Sequence, residues 1–138
     1  MKNGWFKVEL RVRFNETDPA GIVHFSNYFN YFSVAEGELR REIFKDIHDI
    51  IKNNKIHFPR VETFCEYKAP ARYDDLLAIY VKVGDFNSKM IKYDFEITKK
   101  GEEKILTSGY IKCLCVDENF KPIRIPKEMI DRLASLKV

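Results

Sequence analysis

The chain has 138 residues, a length that fits one compact domain and leaves no room for a second. Hydrophobic residues make up 45% and charged residues 33% of the sequence, which excludes a disordered or fibrous protein. The 24 Lys and Arg exceed the 21 Asp and Glu by only three, which argues against a dedicated nucleic-acid-binding protein and still permits an anionic small ligand. We therefore expect a single domain over residues 1–138.

The first half of the chain predicts one strand, one turn and one long helix. Apolar and charged side chains alternate over residues 6–14, a period of two that indicates a strand with one buried face. The sequence NETDPAG at 15–21 collects residues that favour a turn. Over residues 26–45, apolar side chains recur at helical spacing, so we expect a long amphipathic helix there.

The second half is rich in β-forming residues. After a short helix that carries Ile47, Ile50 and Ile51, we expect strands at 61–68, 76–85, 89–98 and 105–116. A final helix begins near Pro126. This order predicts an α+β domain in which a curved antiparallel sheet of about five strands wraps around one long helix. The pattern does not determine which strand lies beside the first one.

The cysteines and the short apolar runs of the sequence indicate where in the cell the protein is located. Cys113 and Cys115 are two residues apart in a strand-like run and lack the spacing of a zinc finger, so we expect buried thiols in a reducing compartment. The N-terminal residues lack the apolar stretch of a secretory signal peptide, and the apolar run at 76–81 is too short to span a membrane. We expect a cytoplasmic protein.

Asp18 is the first candidate for chemistry, and two interpretations stay open. An aspartate followed by Pro19 ahead of a helix can simply cap that helix or a turn. It can also be a reactive carboxylate beside free backbone N–H groups, which polarise the oxygen of an electrophile. His24 is a candidate for orientation or proton transfer, or else a packed histidine. His48 and His57 have no partner at metal-ligand spacing, so we expect both to be structural or solvent-exposed.

Asp74 and Asp75 form a second acidic pair. Both precede a predicted strand, where polar residues are ordinarily solvated or bonded to the backbone, so we expect structural roles with Arg72 as an ion-pair candidate.

Three sequence blocks carry a family resemblance. ETDPAGIVHFSNYFNYF, at 16–32, closely resembles the signature of the 4-hydroxybenzoyl-CoA thioesterase-like branch of the hotdog-fold thioesterases. EYKAPARYDDLL, at 66–77, resembles a second block of that branch, and KPIRIPKEMIDRL, at 121–133, resembles its usual close. The resemblance covers nearly the whole chain in the family's order. It implies the hotdog fold, a curved antiparallel sheet around one long helix.

The resemblance also implies an activity and its residues. It implies an acyl-CoA thioesterase that hydrolyses a coenzyme A thioester to a free acid and coenzyme A. Asp18 would be the catalytic nucleophile or general base. The backbone N–H of Phe25 would polarise the thioester carbonyl, and Gly21, which we count with Tyr28 among the substrate-binding candidates, would permit the turn. The aromatic residues Phe25, Tyr28 and Phe29 could line either an aromatic-acyl pocket or a fatty-acyl tunnel, and equally could belong to the core. No metal is implied, and no cofactor beyond the coenzyme A of the substrate.

Two departures from the family pattern concern Lys89 and His24. Where relatives carry a basic cluster for the coenzyme A phosphates, the sequence FNSK at 86–89 retains Lys89 alone, which makes Lys89 a substrate-binding candidate. Some relatives have histidine at the position of Phe25, one residue after His24.

The resemblance implies partners as well. Family members dimerise by joining sheets and many form tetramers, with active sites between protomers, so we expect a homodimer or homotetramer. One alternative is an acyl carrier protein thioesterase, which the net charge of +3 permits. A second alternative is a non-catalytic acyl-CoA-binding hotdog protein. A third is a hotdog dehydratase, which needs a different histidine-centred motif.

Overall fold

The computed structural model describes residues 4–136. In chain order its elements are β1 (Phe6–Arg11), a 3₁₀ turn (Phe14–Glu16), α1 (Asn27–Phe44), α2 (Ile47–Asn54), β2 (Arg60–Tyr67), β3 (Leu76–Phe86), β4 (Met90–Lys99), β5 (Thr107–Leu114) and α3 (Lys127–Ser135). Every predicted helix and strand is present, with boundaries that differ by a few residues. The α+β class is confirmed.

All five strands form one antiparallel sheet in the order β1-β3-β4-β5-β2. Strands β3, β4 and β5 form a meander at its centre. The strand that sequence patterning could not place, β1, pairs with β3, and β2 occupies the opposite edge. The sheet packs against α1, which is the hotdog architecture.

The apolar stripe of α1 fills the core because its residues recur every three or four positions. Its buried apolar side chains are Tyr28, Tyr31, Phe32, Ala35, Leu39 and Phe44. Phe32 stacks on Phe95 of β4 with ring centroids 4.4 Å apart. A β-carbon at Gly109 of β5 would lie only 3.0 Å from the Phe32 ring, so this glycine lets the helix approach the sheet closely.

One strand is shorter than the alternation predicts. Strand β1 ends at Arg11, and the predicted buried position Phe14 is 77% exposed. The chain turns because the N–H of Glu16 donates to the carbonyl of Arg13, while the N–H of Arg13 donates to the Glu16 carboxylate. This local bonding overrides the period-two pattern.

The structure also bears on the cysteines and on the helices. Cys113 and Cys115 are buried free thiols, as predicted. No helix within residues 4–136 combines the length and apolar character that crossing a membrane requires.

Candidate active site

The segment from Thr17 to Val23 forms a tight loop in front of α1. Thr17 and Val23 make an isolated antiparallel bridge, and the N–H of Asp18 donates to the carbonyl of Ile22 at 2.9 Å. Gly21 has a φ of 79°, a conformation that a residue with a β-carbon adopts only with strain. The expected turn is therefore present, and Gly21 permits it.

The Asp18 carboxylate is held by its own loop and not by the helix. Its Oδ1 accepts hydrogen bonds from the N–H groups of Ala20, at 2.8 Å, and Ile22, at 3.4 Å. Helix α1 begins at Asn27, so Asp18 does not cap that helix, whereas the hydrogen bonds from Ala20 and Ile22 are those of the turn cap that the sequence also allowed. The loop orients one carboxylate oxygen, and within residues 4–136 the second oxygen accepts no hydrogen bond.

Glu16 holds this loop against α1, a role that the sequence did not predict. Its carboxylate is 8% exposed and accepts from the Arg13 guanidinium, from the Arg13 N–H at 2.8 Å and from the Tyr31 hydroxyl at 3.0 Å. Its carbonyl accepts from the N–H of His24 and the side-chain amide of Asn27, both at 2.9 Å. One residue thus ties the loop to both ends of the first turn of α1.

Phe25 supplies a free N–H in the turn that leads into α1, two residues before the helix begins. In the part of the chain that the structure describes, this N–H donates to no protein acceptor, while the Phe25 carbonyl accepts from the N–H of Tyr28 at 3.3 Å. The Tyr67 hydroxyl contacts the same carbonyl at 3.4 Å. Free N–H groups at a helix start carry partial positive charge and stabilise a developing oxyanion.

Asp18, His24 and Phe25 line one pocket of about 570 Å³. Tyr28 and Tyr67 form an aromatic wall, with ring centroids 5.2 Å apart in an edge-to-face arrangement. The remaining lining residues are Ile22, Val23, Lys68, Ala69 and Pro70. The pocket therefore combines a carboxylate, an imidazole, an ammonium group and apolar walls.

Both tyrosines of the wall stay protonated at neutral pH. Burial raises the pKa of Tyr28, whose hydroxyl accepts from the N–H of Ala71 at 3.3 Å. Burial and the neighbouring Cys65 raise the pKa of Tyr67 to about 12. Each phenol can therefore donate a hydrogen bond but cannot serve as a base near pH 7.

A second pocket, of about 600 Å³, lies between the β3–β4 turn and α3. Its lining is apolar apart from Asn87, Ser88, Arg124 and Lys127, and it contains no carboxylate, thiol or imidazole. Of these two pockets, the Asp18 pocket is the one that contains a carboxylate and an imidazole.

Lys89 lies at the far end of the sheet from Asp18. The Asp18 loop adjoins the start of β3, through a bridge between Ile22 and Arg72, whereas Lys89 follows the end of this 11-residue strand. At about 3.3 Å per residue the two ends are roughly 30 Å apart. Lys89 does not line the Asp18 pocket of its own chain.

The structure separates the other predicted residues by role. Phe29 packs against the core and Gly21 shapes the loop, and neither lines the pocket, whereas Tyr28 does. His48 and His57 are exposed, as expected. Within residues 4–136 no cluster of His, Cys, Asp and Glu side chains is placed to hold a metal ion.

The second acidic pair is structural, as predicted, but with different partners. Asp75 accepts from the backbone N–H of Arg72 at 2.8 Å and lies 3.6 Å from Lys99, and Asp74 lies 3.7 Å from Arg11. Among the described residues the Arg72 side chain forms no ion pair, so that part of the prediction is wrong.

Comparison with known proteins identifies thioesterases as relatives of this chain. The sequence profile of the thioesterase-like superfamily matches residues 12–133. The acyl-CoA thioesterase YbgC of Haemophilus influenzae is 25% identical over 130 residues, which are 94% of this chain and 94% of that protein. The 1,4-dihydroxy-2-naphthoyl-CoA hydrolase of a Synechococcus species is 29% identical over 122 residues, which are 82% of this chain and 78% of the relative.

A solved structure supports the same fold. The crystal structure of a protein from Aquifex aeolicus is 30% identical and superposes with a TM-score of 0.83, covering 93% of this chain and 98% of the other. The profile match spans most of the chain, and the sheet order, the central helix and the loop before it are all in place. The chain therefore belongs to the thioesterase-like superfamily and is a thioester hydrolase with the hotdog fold.

Proposed function

We propose that the protein hydrolyses acyl-coenzyme A thioesters to a free acid and coenzyme A in the pocket that contains Asp18. The observation that carries this proposal is the presence of the Asp18 carboxylate and the free Phe25 N–H at the same pocket. A thioesterase needs these two groups, one to deliver an oxygen nucleophile and one to stabilise the oxyanion.

Asp18 can act by either of two routes. As a nucleophile, its carboxylate oxygen bonds to the thioester carbon, the C–S bond breaks, and water then cleaves the resulting anhydride and restores the carboxylate. As a general base, Asp18 takes a proton from water while the water oxygen adds to the carbon and the C–S bond breaks, and the proton then passes from Asp18 to the departing thiolate, which leaves as free coenzyme A. In both routes negative charge develops on the carbonyl oxygen, which the Phe25 N–H and the α1 dipole stabilise.

The pocket walls support an aromatic acyl group as the leading substrate. Tyr67 is exposed and packs edge to face on the buried ring of Tyr28, and aromatic pairs gain stability beyond simple area burial. One relative is named for an aromatic acyl thioester, 1,4-dihydroxy-2-naphthoyl-CoA. The finer assignment to the 4-hydroxybenzoyl-CoA thioesterase-like branch stays a prediction, as do a fatty-acyl substrate, an acyl carrier protein substrate and the cytoplasmic location.

We also propose that two chains associate through β2. Within residues 4–136 this edge strand pairs only with β5, and it exposes Val61, Phe64 and Tyr67. A long apolar edge invites pairing with another strand. Because Tyr67 ends β2 and lines the Asp18 pocket, association there would place the partner chain beside the pocket.

Association through β2 would allow Lys89 of one protomer to contact substrate bound to another. In its own chain Lys89 is too far from Asp18, so we propose that it contacts coenzyme A phosphates in the pocket of another protomer. Lys68, which lines the Asp18 pocket directly, is the second candidate for such a contact.

The test is thiol release from a panel of aromatic and fatty acyl-CoA substrates, with acyl carrier protein thioesters as a third group. The proposal predicts that at least one acyl-CoA is hydrolysed and that aromatic acyl groups are preferred. Binding of acyl-CoA with no thiol release would favour the alternative of a non-catalytic binding protein.

A further inference from the structure

Ser26 uses its side chain in an unusual way. It immediately precedes α1, where a serine hydroxyl ordinarily accepts a hydrogen bond from a helix N–H, yet its side chain makes no capping bond. Instead its Oγ lies 2.8 Å from Nδ1 of His24. The backbone N–H of Ser26 donates to the same nitrogen at 3.3 Å.

The backbone contact indicates which nitrogen of His24 carries the proton. A backbone N–H can only donate, so Nδ1 must be an acceptor and carries no hydrogen. The Ser26 hydroxyl then donates to Nδ1 as well. Because a neutral imidazole has a single N–H, that hydrogen is on Nε2.

The His24 ring is also restrained from the side. The Phe25 ring lies against it, with centroids 4.7 Å apart and planes tilted by 33°. The N–H of His24 is fixed by the Glu16 carbonyl, and the His24 carbonyl accepts from the N–H of Asn27 at 2.9 Å. These contacts hold the backbone of His24 and orient its ring before substrate binds.

We infer that Ser26 is a positioning residue that holds His24 as the Nε2–H tautomer, so that His24 serves the substrate as a hydrogen-bond donor and not as a proton acceptor. The inference rests on the proposed function, because His24 lines the same pocket as Asp18. The acceptor is the oxygen or sulfur atom of the thioester that gains negative charge as the C–S bond breaks. His24 keeps its proton throughout, which leaves the base or nucleophile role to Asp18.

Two amide variants distinguish the roles of the two ring nitrogens of His24. Gln places a donor N–H near the position of Nε2, whereas Asn places an acceptor oxygen near the position of Nδ1. We expect His24→Gln, which keeps a donor, to lower kcat/KM about threefold and His24→Asn to lower it about tenfold, the effect of one lost hydrogen bond in the transition state. Native turnover of His24→Asn would show that Nδ1 merely caps the turn. Equal losses in both variants would favour a proton-accepting role.

Ser26 is tested in two backgrounds. Ser26→Ala should lower kcat/KM about threefold in the wild-type protein because Nδ1 loses the hydroxyl donor and keeps only the backbone N–H, and Ser26→Thr, which keeps the hydroxyl, should restore it. In the His24→Gln background Ser26→Ala should have no further effect, since an amide has no tautomers. An equal loss in both backgrounds would mean that Ser26 acts on the helix and not through His24, which overturns the inference.

Nitrogen-15 NMR of the unliganded protein provides a readout that does not depend on turnover. The chain has only three histidines, so the His24 signals are those that disappear in His24→Asn. The inference predicts a protonated Nε2 and an unprotonated Nδ1 at neutral pH. A protonated Nδ1 would overturn it even in an active enzyme. The predicted tautomer in a protein that hydrolyses no acyl-CoA would refute the proposed function and leave the tautomer assignment intact.

Discussion

Replacing Glu16 with Gln tests how the loop that carries Asp18 is held in place. The Glu16 carboxylate is 8% exposed and receives hydrogen bonds from the Arg13 guanidinium, the Arg13 N–H and the Tyr31 hydroxyl. Gln has nearly the same shape and keeps one acceptor oxygen. Its amide NH₂, however, replaces the second oxygen and faces the donor groups of Arg13, so the charge-assisted bond is lost.

The size of the effect follows from the exposure of the two partners. A hydrogen bond to a charged group stabilises a folded protein by about 1.5–3 kcal/mol. Because the Arg13 side chain is 73% exposed, water replaces part of that interaction, and we expect a loss of about 1–2 kcal/mol of unfolding free energy. This corresponds to a Tm lower by roughly 4 °C per kcal/mol for a chain of this length.

The hydrogen bonds to the Glu16 carboxylate also predict how the stability depends on pH. Burial alone raises the pKa of Glu16, but the hydrogen bonds from Arg13 and Tyr31 outweigh it, so the pKa lies below its ordinary value. A carboxyl group whose pKa is lowered by folding adds stability above the pKa of the unfolded chain, and that stability is lost as the pH falls through the folded-state pKa. The difference between wild type and Glu16→Gln should therefore be largest at neutral pH and shrink in acid.

Urea unfolding at neutral and acidic pH measures both effects. Glu38→Gln is the matched control, because the Glu38 side chain is 49% exposed and pairs with Arg41 on the surface of α1. The control should lose no more than about 0.5 kcal/mol. Wild-type stability of Glu16→Gln at neutral pH, or a difference that stays constant into acid, would refute the anchoring role of Glu16.

Three further predictions concern the loop, the phosphates and the assembly. Gly21→Ala should lower the unfolding free energy by about 1 kcal/mol and lower kcat/KM, because a φ of 79° is strained for alanine. Among the described residues, no atom outside those adjoining Gly21 lies within 4 Å of the added carbon, so the cost is backbone strain and not a clash. Unchanged stability and activity would mean that the loop relaxes freely. Lys89→Ala should raise KM more at low salt than at high salt, and an unchanged KM at both would remove Lys89 from substrate binding. Light scattering should give at least twice 16.4 kDa, whereas a stable, active monomer would contradict association through β2.

The strands and helices were predictable because their signals are local. The helical spacing over residues 26–45 predicted α1, which spans Asn27–Phe44. The sheet order was not predictable, since the pairing of β1 with β3 joins segments about 70 residues apart and depends on tertiary packing. The premature end of β1 was missed because a single buried carboxylate, Glu16, redirects the chain.

The candidate site was predictable only where it is contiguous in sequence. Asp18, His24 and Phe25 lie within eight residues of one another, and the resemblance to a known family assigned their roles. Tyr67 joins the pocket from an edge strand that begins more than 30 residues later, and nothing in its spacing indicated that contact. Lys89 was assigned by family position alone, and its distance from Asp18 became evident only from the length of β3.

The central claim is that Asp18 performs the hydrolysis, and the most direct measurement is thiol release by Asp18→Asn on the best acyl-CoA substrate. Asn is nearly isosteric, and its amide oxygen can still accept from the N–H groups of Ala20 and Ile22, so the loop should stay folded. We predict wild-type stability in urea and a kcat reduced by at least about a hundredfold, because the variant lacks the carboxylate that both routes require. A folded Asp18→Asn variant that hydrolyses the substrate at a near-native rate would contradict the account.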